Sequence, residues 1–286
     1  MTNPLVISTA SELEAWANEC HAAGETIGLV PTMGNLHTGH LSLVELARAE
    51  ATRVVVSVFV NPTQFSPGED FERYPRSLDT DIELLSTTAA DVVFAPSVDE
   101  VYPPGSGEER VDPGPIGDVL EGAVRPRHFE GVLRVCKRLF EISHADVSVF
   151  GEKDAQQLFL VSQMVDDLSL PIRIVSAPTI RAEDGLALSS RNSYLSAKDR
   201  ASAVALPQAL MGVARDLEAG EDPANVVAAA QLSLSREPEI ECDYLEVVSA
   251  HSFKPLREGD TEAIVVGAIT VGGTRLIDNA RVHLPC

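Results

Sequence analysis

The run RVVVSVFV, residues 53–60, is β-branched and almost unbroken. A strand with water on one face alternates apolar and polar residues, so a run without alternation belongs to a strand covered on both faces. Shorter runs of the same kind recur at TIGLV (26–30), DVVFA (91–95), DVSVF (146–150) and IRIVSA (172–177). Segments with helical spacing lie between them, at 10–23, 41–51, 78–90, 129–143 and 155–168. Strand and helix in alternation, with strands too apolar for a solvated face, predict an α/β domain whose parallel sheet is layered by helices.

The pattern changes after about residue 180. A long helix is expected over 196–220, with Pro207 inside it, and another over 225–235. DYLEVVSA, EAIVVGAIT and TRLIDNARV then read as strands, with Gly272 and Gly273 between the last two. This predicts a smaller α+β domain, and a division into residues 1–180 and 181–286. The Pro/Gly-rich stretch at 103–118 is an insertion of the length that often carries function.

Charge narrows the function. The chain has 22 basic and 43 acidic residues, a formal net charge of -21. A field of that sign repels nucleic acid and anionic membrane, so neither is expected as a partner. A small anionic substrate stays open, because local cations can outweigh the global field in a cleft. The four cysteines are far apart and form no CxxC pair, which favours inert free thiols in a reducing compartment. The first residues lack the pattern of a signal peptide and no apolar stretch is long enough to span a membrane, so a cytoplasmic protein is expected.

Several short motifs carry chemistry. PTMGNLHTGHLSL, residues 31–43, sets His37 and His40 three apart, after a predicted strand and at the start of a predicted helix. A helix N-terminus offers unbonded N–H groups and the positive end of a dipole, both suited to phosphate. Gly34 and Gly39 permit close approach of a nucleotide to the backbone. Two imidazoles facing one way can donate to charge that develops on phosphate. The plain alternative is a polar loop; a zinc site would need a third ligand that the spacing does not supply. Gly151, Glu152, Lys153 and Asp154 follow a strand directly, where ligands of open α/β sheets bind. Leu188, Ser189, Ser190, Arg191 and Asn192 offer hydroxyls and a guanidinium fit to grip pyrophosphate, or simply cap the next helix. Gln64 and Gln157 are neutral amides that can orient hydroxyls and a carboxylate.

PTMGxLHxGH, FVNPTQF, YPR with downstream aspartates, RPxHFxGV, GEKDxQQL and SSRN occur here in that order. In this combination the chain closely resembles the pantoate–β-alanine ligase family of the HxGH nucleotidyltransferase superfamily. The resemblance implies a Rossmann-type N-terminal domain, a smaller C-terminal lid domain and a homodimer. It implies ATP, (R)-pantoate and β-alanine as substrates, magnesium as the required ion, and pantothenate, AMP and pyrophosphate as products. By the same resemblance Met33, Gly34, Asn35, Leu36, His37, Thr38, Gly39 and His40 form one ATP segment. His40 matches the catalytic histidine and His37 its phosphate-contacting partner. Gly151, Glu152, Lys153, Asp154, Leu188, Ser189, Ser190 and Arg191 match the other ATP segments, with Lys153 and Arg191 joining the catalytic set. Ile180 matches a position that contacts adenine through its backbone. Gln64 and Gln157 match the pantoate glutamines, Gln64 also near β-alanine, and Asp81 lies in the acidic stretch associated with the metal. Asn61 is a further expected host for β-alanine. Three positions depart from the family pattern: Thr38 replaces a usual glutamate, Ala155 an aromatic and Leu188 a methionine.

The expected chemistry has two steps. The acid's carboxylate attacks the α-phosphorus of ATP in line, and the amine then displaces AMP from the acyl adenylate. The rivals are a nucleotidyltransferase that keeps the nucleotide on its product, and a silent nucleotide-binding protein.

Overall fold

The computed structural model describes residues 3–66, 68–105 and 110–285. Of the insertion at 103–118, residues 106–109 lie outside the described residues, as does Cys286. The chain forms two compact units. One runs to Glu152 and resumes over Gln157–Ala177; the other comprises Lys153–Gln156 and the chain from Pro178 on.

The first unit begins with β1 (Leu5–Ile7), α1 (Ala10–Ala22), β2 (Ile27–Thr32), α2 (Thr38–Glu50), β3 (Arg53–Val58), α3 (Leu78–Leu85) and β4 (Val92–Phe94). It continues with the short helices α4 (Val98–Val101) and α5 (Glu121–Val124), then α6 (His128–Ser143), β5 (Val147–Gly151), α7 (Ala155–Asp167) and β6 (Arg173–Ala177). Its six strands are all parallel, in the order β1-β4-β3-β2-β5-β6. The apolar run of β3 fits this place: Val54, Val55 and Val56 are fully buried, each side chain contributing about 2 kcal/mol of transfer free energy. Val44 and Ala47 of α2 pack with Val30, Val54 and Val56 on one face of the sheet.

In the second unit α8 (Ala197–Ala203), α9 (Ala205–Glu218) and α10 (Pro223–Leu234) precede β7 (Ile240–Ser249), β8 (Glu262–Val271) and β9 (Thr274–His283). The strands form an antiparallel sheet in the order β7-β8-β9. Gly272 and Gly273 close the last hairpin with φ of 56° and 75°, the sign that a tight two-residue turn demands and glycine adopts without strain. Leu206, Leu210, Val213 and Leu217 of α9 form a core with Val265 and Ile269 of β8.

The structure corrects the element reading in three places. The helix expected over 196–220 is two helices, broken at Val204. Pro207 has no N–H to give Ala203, and its ring collides with the carbonyl four residues back; Ala203 is where α8 ends. The helix expected over 78–90 stops at Leu85, because the hydroxyls of Ser86, Thr87 and Thr88 turn back onto the carbonyls of Glu83, Leu84 and Leu85. Strand β1, three residues long, carries too little pattern to be read from sequence.

Candidate active site

From β2 the chain builds outward through β3 to β4, then returns to lay β5 against the other side of β2. The order therefore reverses between β2 and β5, and the crevice beyond their carboxyl ends is where an open parallel sheet holds ligands. The HxGH segment leaves β2 at that edge.

Its geometry is set by a buried carboxylate. Gly34 and Asn35 both have positive φ, 82° and 51°. This left-handed turn brings the N–H groups of Asn35 and Leu36 to one side of the loop. Asp81 of α3 meets them, accepting from Asn35 N–H at 3.0 Å on Oδ2 and from Leu36 N–H at 2.8 Å on Oδ1. A Cβ on Gly34 would lie 2.9 Å from Asp81 Oδ2, so glycine is required there for space as well as for φ. Asp81 is 1% exposed; burial pushes its carboxyl up from the ordinary value, and the two N–H bonds oppose that rise.

His37 caps α2 from an extended backbone, and its N–H donates to His40 Nδ1 at 3.3 Å. Because His40 Nδ1 accepts, the proton of the neutral ring sits on Nε2, which becomes the donor of that ring. The two rings lie 4.0 Å apart between centroids, tilted by 33°. The first hydrogen bond of the helix is made by His40 N–H, so the N–H groups of Thr38 and Gly39 stand ahead of the ladder at the positive end of the helix.

The turn after β3, Pro62–Gln64, is organised by Asn61, which is 1% exposed. Its Oδ1 accepts from Thr63 N–H, Thr63 Oγ1 and Tyr102 OH. Its Nδ2 donates to Gln64 Oε1 and to the Gly131 carbonyl, both at 3.0 Å. Both amide hydrogens are thus engaged inside the protein, which makes Asn61 a brace for Gln64 rather than the expected host for a substrate. Burial pushes the Tyr102 hydroxyl up to about 12, so it remains a donor at any working pH. Gln64 Nε2 reaches Met33 Sδ at 3.0 Å, joining this turn to the HxGH segment.

Beside Gln64 opens a cleft of about 280 Å³. Arg110, Arg127 and Arg134 line it against one carboxylate, Glu130. The local balance is cationic in a protein whose total is strongly acidic, as a small anionic substrate requires.

Of the other expected residues, Gly151, Glu152 and Gln157 lie in the first unit, and Lys153, Asp154 and those from Ile180 on lie in the second. The Lys153 carbonyl accepts from Asn279 Nδ2 of β9 at 2.9 Å, and Lys153 Nζ is 3.8 Å from Asp154. Arg181 pairs with Asp278 through two bonds, at 2.6 and 3.0 Å, and also donates to the Asn279 and Gly185 carbonyls. The Ile180 carbonyl is taken by Leu188 N–H at 2.9 Å. Ser189 caps the turn Ser190–Tyr194, which holds Arg191, and Asn192 anchors that turn to the Ala187 carbonyl.

The profile described as Pantoate-beta-alanine ligase matches residues 5–281. The chain belongs to this family. A pantothenate synthetase of Thermobifida fusca is 48% identical over 98% of this chain and 96% of its own. The crystal structure of pantothenate synthetase from Thermus thermophilus superposes with a TM-score of 0.91 at 45% identity, covering 98% of this chain and 99% of its own. The pantoate-beta-alanine ligase of Francisella tularensis, complexed with Beta-gamma ATP and Beta-alanine, matches with a TM-score of 0.80 at 32% identity over 97% of both chains.

For a pantoate–β-alanine ligase the site holds two surprises. Asp81, expected at the metal, has both oxygens on the backbone of the Gly34 loop and almost no exposed surface. Its donors do not fit a cation, and among the described residues no group of three or more His, Cys, Asp or Glu could hold a metal. By the same bonds the N–H groups of Asn35 and Leu36 are engaged by Asp81, so these residues shape the loop ahead of α2. Sequence reasoning missed the bracing role of Asp81, the brace formed by Asn279 and Asp278, and the partners of Gln64. The only signal for the last was the RPxHFxGV motif, whose residues had been given no task. Cys20, Cys136 and Cys242 are free thiols, and burial raises all three, Cys136 to about 12. Among the described residues no helix is long and apolar enough to cross a membrane.

Proposed function

We propose that this chain condenses (R)-pantoate with β-alanine, consuming ATP, through a pantoyl adenylate. The observation that carries the reading is the contact of Gln64 Nε2 with Met33 Sδ. It ties an amide beside a cationic cleft to the loop that opens the helix of His37 and His40, so an acid and a nucleotide can be held side by side. Acyl-adenylate chemistry needs that adjacency.

In the first step a pantoate carboxylate oxygen attacks the α-phosphorus, the bond to the bridging oxygen breaks, and pyrophosphate leaves. His40 Nε2–H and His37, with the N–H groups of Thr38 and Gly39, stabilise the charge that gathers on phosphate oxygens. Lys153, Arg191, Ser189 and Ser190 are assigned to the same nucleotide, as are Gly151, Glu152, Asp154, Leu188 and the Ile180 segment. Gln64 and Gln157 orient pantoate, and Gln64 borders the β-alanine position. In the second step the neutral amine of β-alanine attacks the acyl carbon, AMP departs with the electron pair of the broken C–O bond, and the amine loses its proton. Magnesium would come with ATP and offset phosphate charge, and among the described residues no group of three or more His, Cys, Asp or Glu could hold it. The proposal includes a cytoplasmic homodimer, whose oligomeric state size-exclusion chromatography with light scattering checks.

The test is pyrophosphate release from MgATP with (R)-pantoate, with and without β-alanine. Sustained turnover with both, and AMP as co-product, is the expected result. Folded protein that binds ATP but releases no pyrophosphate on addition of pantoate overturns the substrate assignment.

A further inference from the structure

The stretch RPRHFEG, residues 125–131, has no part in the chemistry above. Its side chains nevertheless converge on one substrate-facing turn. Arg125 donates through Nε and Nη2 to the two oxygens of Glu69, at 2.8 and 2.7 Å. Its Nη1 lies 3.0 Å from His128 Nε2, and its Nη2 reaches the Gln64 carbonyl at 3.4 Å. His128 opens α6, is 8% exposed, and sets Nδ1 2.8 Å from the same Gln64 carbonyl.

Donor and acceptor chemistry fixes the state of this ring. A carbonyl can only accept, so Nδ1 carries a proton. A guanidinium can only donate, so Nε2 carries the lone pair. His128 is therefore the neutral Nδ1–H tautomer, keyed by Arg125, which is itself held by Glu69. Gly131, three residues on, completes the grip. A Cβ there would lie 2.2 Å from the Thr63 carbonyl oxygen, and its own carbonyl accepts from Asn61, the brace of the Gln64 amide. One motif thus holds Gln64 from both sides, by its backbone through His128 and by its side chain through Asn61.

We propose that His128 is a positioning residue of the ligase reaction: as the Nδ1–H tautomer it fixes the Gln64 carbonyl, and with it the angle at which the Gln64 amide meets the acid substrate. It moves no proton and touches no reacting atom. The inference rests on the assignment of Gln64 to the substrate, and the experiment separates the two.

Steady-state kinetics with MgATP, (R)-pantoate and β-alanine are compared for Gln64→Ala, His128→Ala, His128→Asn and the double variant Gln64→Ala/His128→Ala. Gln64→Ala is expected to raise the pantoate KM by about tenfold or more. An unchanged KM there overturns the assignment of Gln64, and this proposal with it. Given that rise, His128→Ala raises the pantoate KM by about tenfold and leaves the ATP KM within about twofold. His128→Asn, whose Nδ2 can donate where Nδ1 did, recovers most of the loss, and the double variant is no worse than Gln64→Ala alone. A His128→Ala enzyme that matches wild type, or losses that multiply in the double variant, overturns the proposal while the Gln64 assignment stands. Should His128→Ala not fold, 15N NMR of the wild-type ring decides. A protonated Nδ1 with bare Nε2 is expected; the Nε2–H tautomer or a doubly protonated ring at neutral pH refutes it.

Discussion

The two segments proposed to bring chemistry to the first unit, 33–40 and 61–64, are held in different ways. The histidine segment is largely self-organised. His37 caps its own helix, His40 bonds back to it, and a remote residue, Asp81, sets the preceding loop. The glutamine turn has internal bonds too, between Asn61 and both Thr63 and Gln64, but it also leans on several distant partners. Gln64 is fixed by Asn61, Arg125, His128 and Met33, most of them from stretches of chain outside its own turn. A segment built on local hydrogen bonds can be read from a short motif; one built on distant partners cannot, because nothing near it in sequence reports them.

This contrast can be broken or sharpened by measurement. His40→Ala removes the proposed donor to the phosphate without touching distant structure. Pyrophosphate release should fall by about 100-fold or more, with the melting temperature little changed. Near-normal release would remove His40 from the chemistry.

The glutamine turn should instead betray itself through pH-dependent stability. Burial, and then the neighbouring Arg125 charge, depress His128 to about 4 from the ordinary 6.5. Between those values the unfolded chain binds the proton and the native ring does not, so stability falls as pH drops from 6.5 toward 4. The full effect is on the order of 3 kcal/mol, seen as a slope in urea midpoints that His128→Asn abolishes. Glu69 adds in the same direction at lower pH. Burial works to raise its carboxyl, but the Arg125 bonds and charge hold it below 4.5, so its contribution is lost as pH falls through that lowered value.

Asp81→Ala strikes the remote carboxylate that holds the loop ahead of the histidines. It strands the N–H groups of Asn35 and Leu36 in a buried place, at a cost of about 2 kcal/mol. Urea unfolding measures it, and a rising ATP KM should accompany it. A cost below about 0.5 kcal/mol would show the loop to be wholly self-supporting. The smallest expected effect is in the second unit, where Asn279→Ala frees the Lys153 carbonyl for about 1 kcal/mol, read as a fall in melting temperature.

Most of the fold was legible because its signals are local. The unbroken apolar character of β3 announced a strand covered on both faces, and Gly272-Gly273 announced a hairpin. Two helix ends follow short-range rules instead: Pro207 ends α8 through its missing N–H, and three hydroxyls end α3 early. The site was legible where a motif coincided with a helix start. It was incomplete at Asp81, whose two oxygens accept from backbone N–H groups of the Gly34 loop, and at Asn61, whose amide is engaged within the protein.

By itself the sequence determined the alternation of strand and helix, the glycines where positive φ or close approach is needed, and the histidine pair at a helix N-terminus. These follow from side-chain periodicity and backbone sterics within a few residues. Only the tertiary structure decided which carboxylate holds the Gly34 loop, which imidazole nitrogen of His128 bears its proton, and which residues aim Gln64. Those outcomes depend on groups brought together across as many as 64 positions of chain, and hydrogen bonding is selective only once donor and acceptor are within about 3 Å of each other.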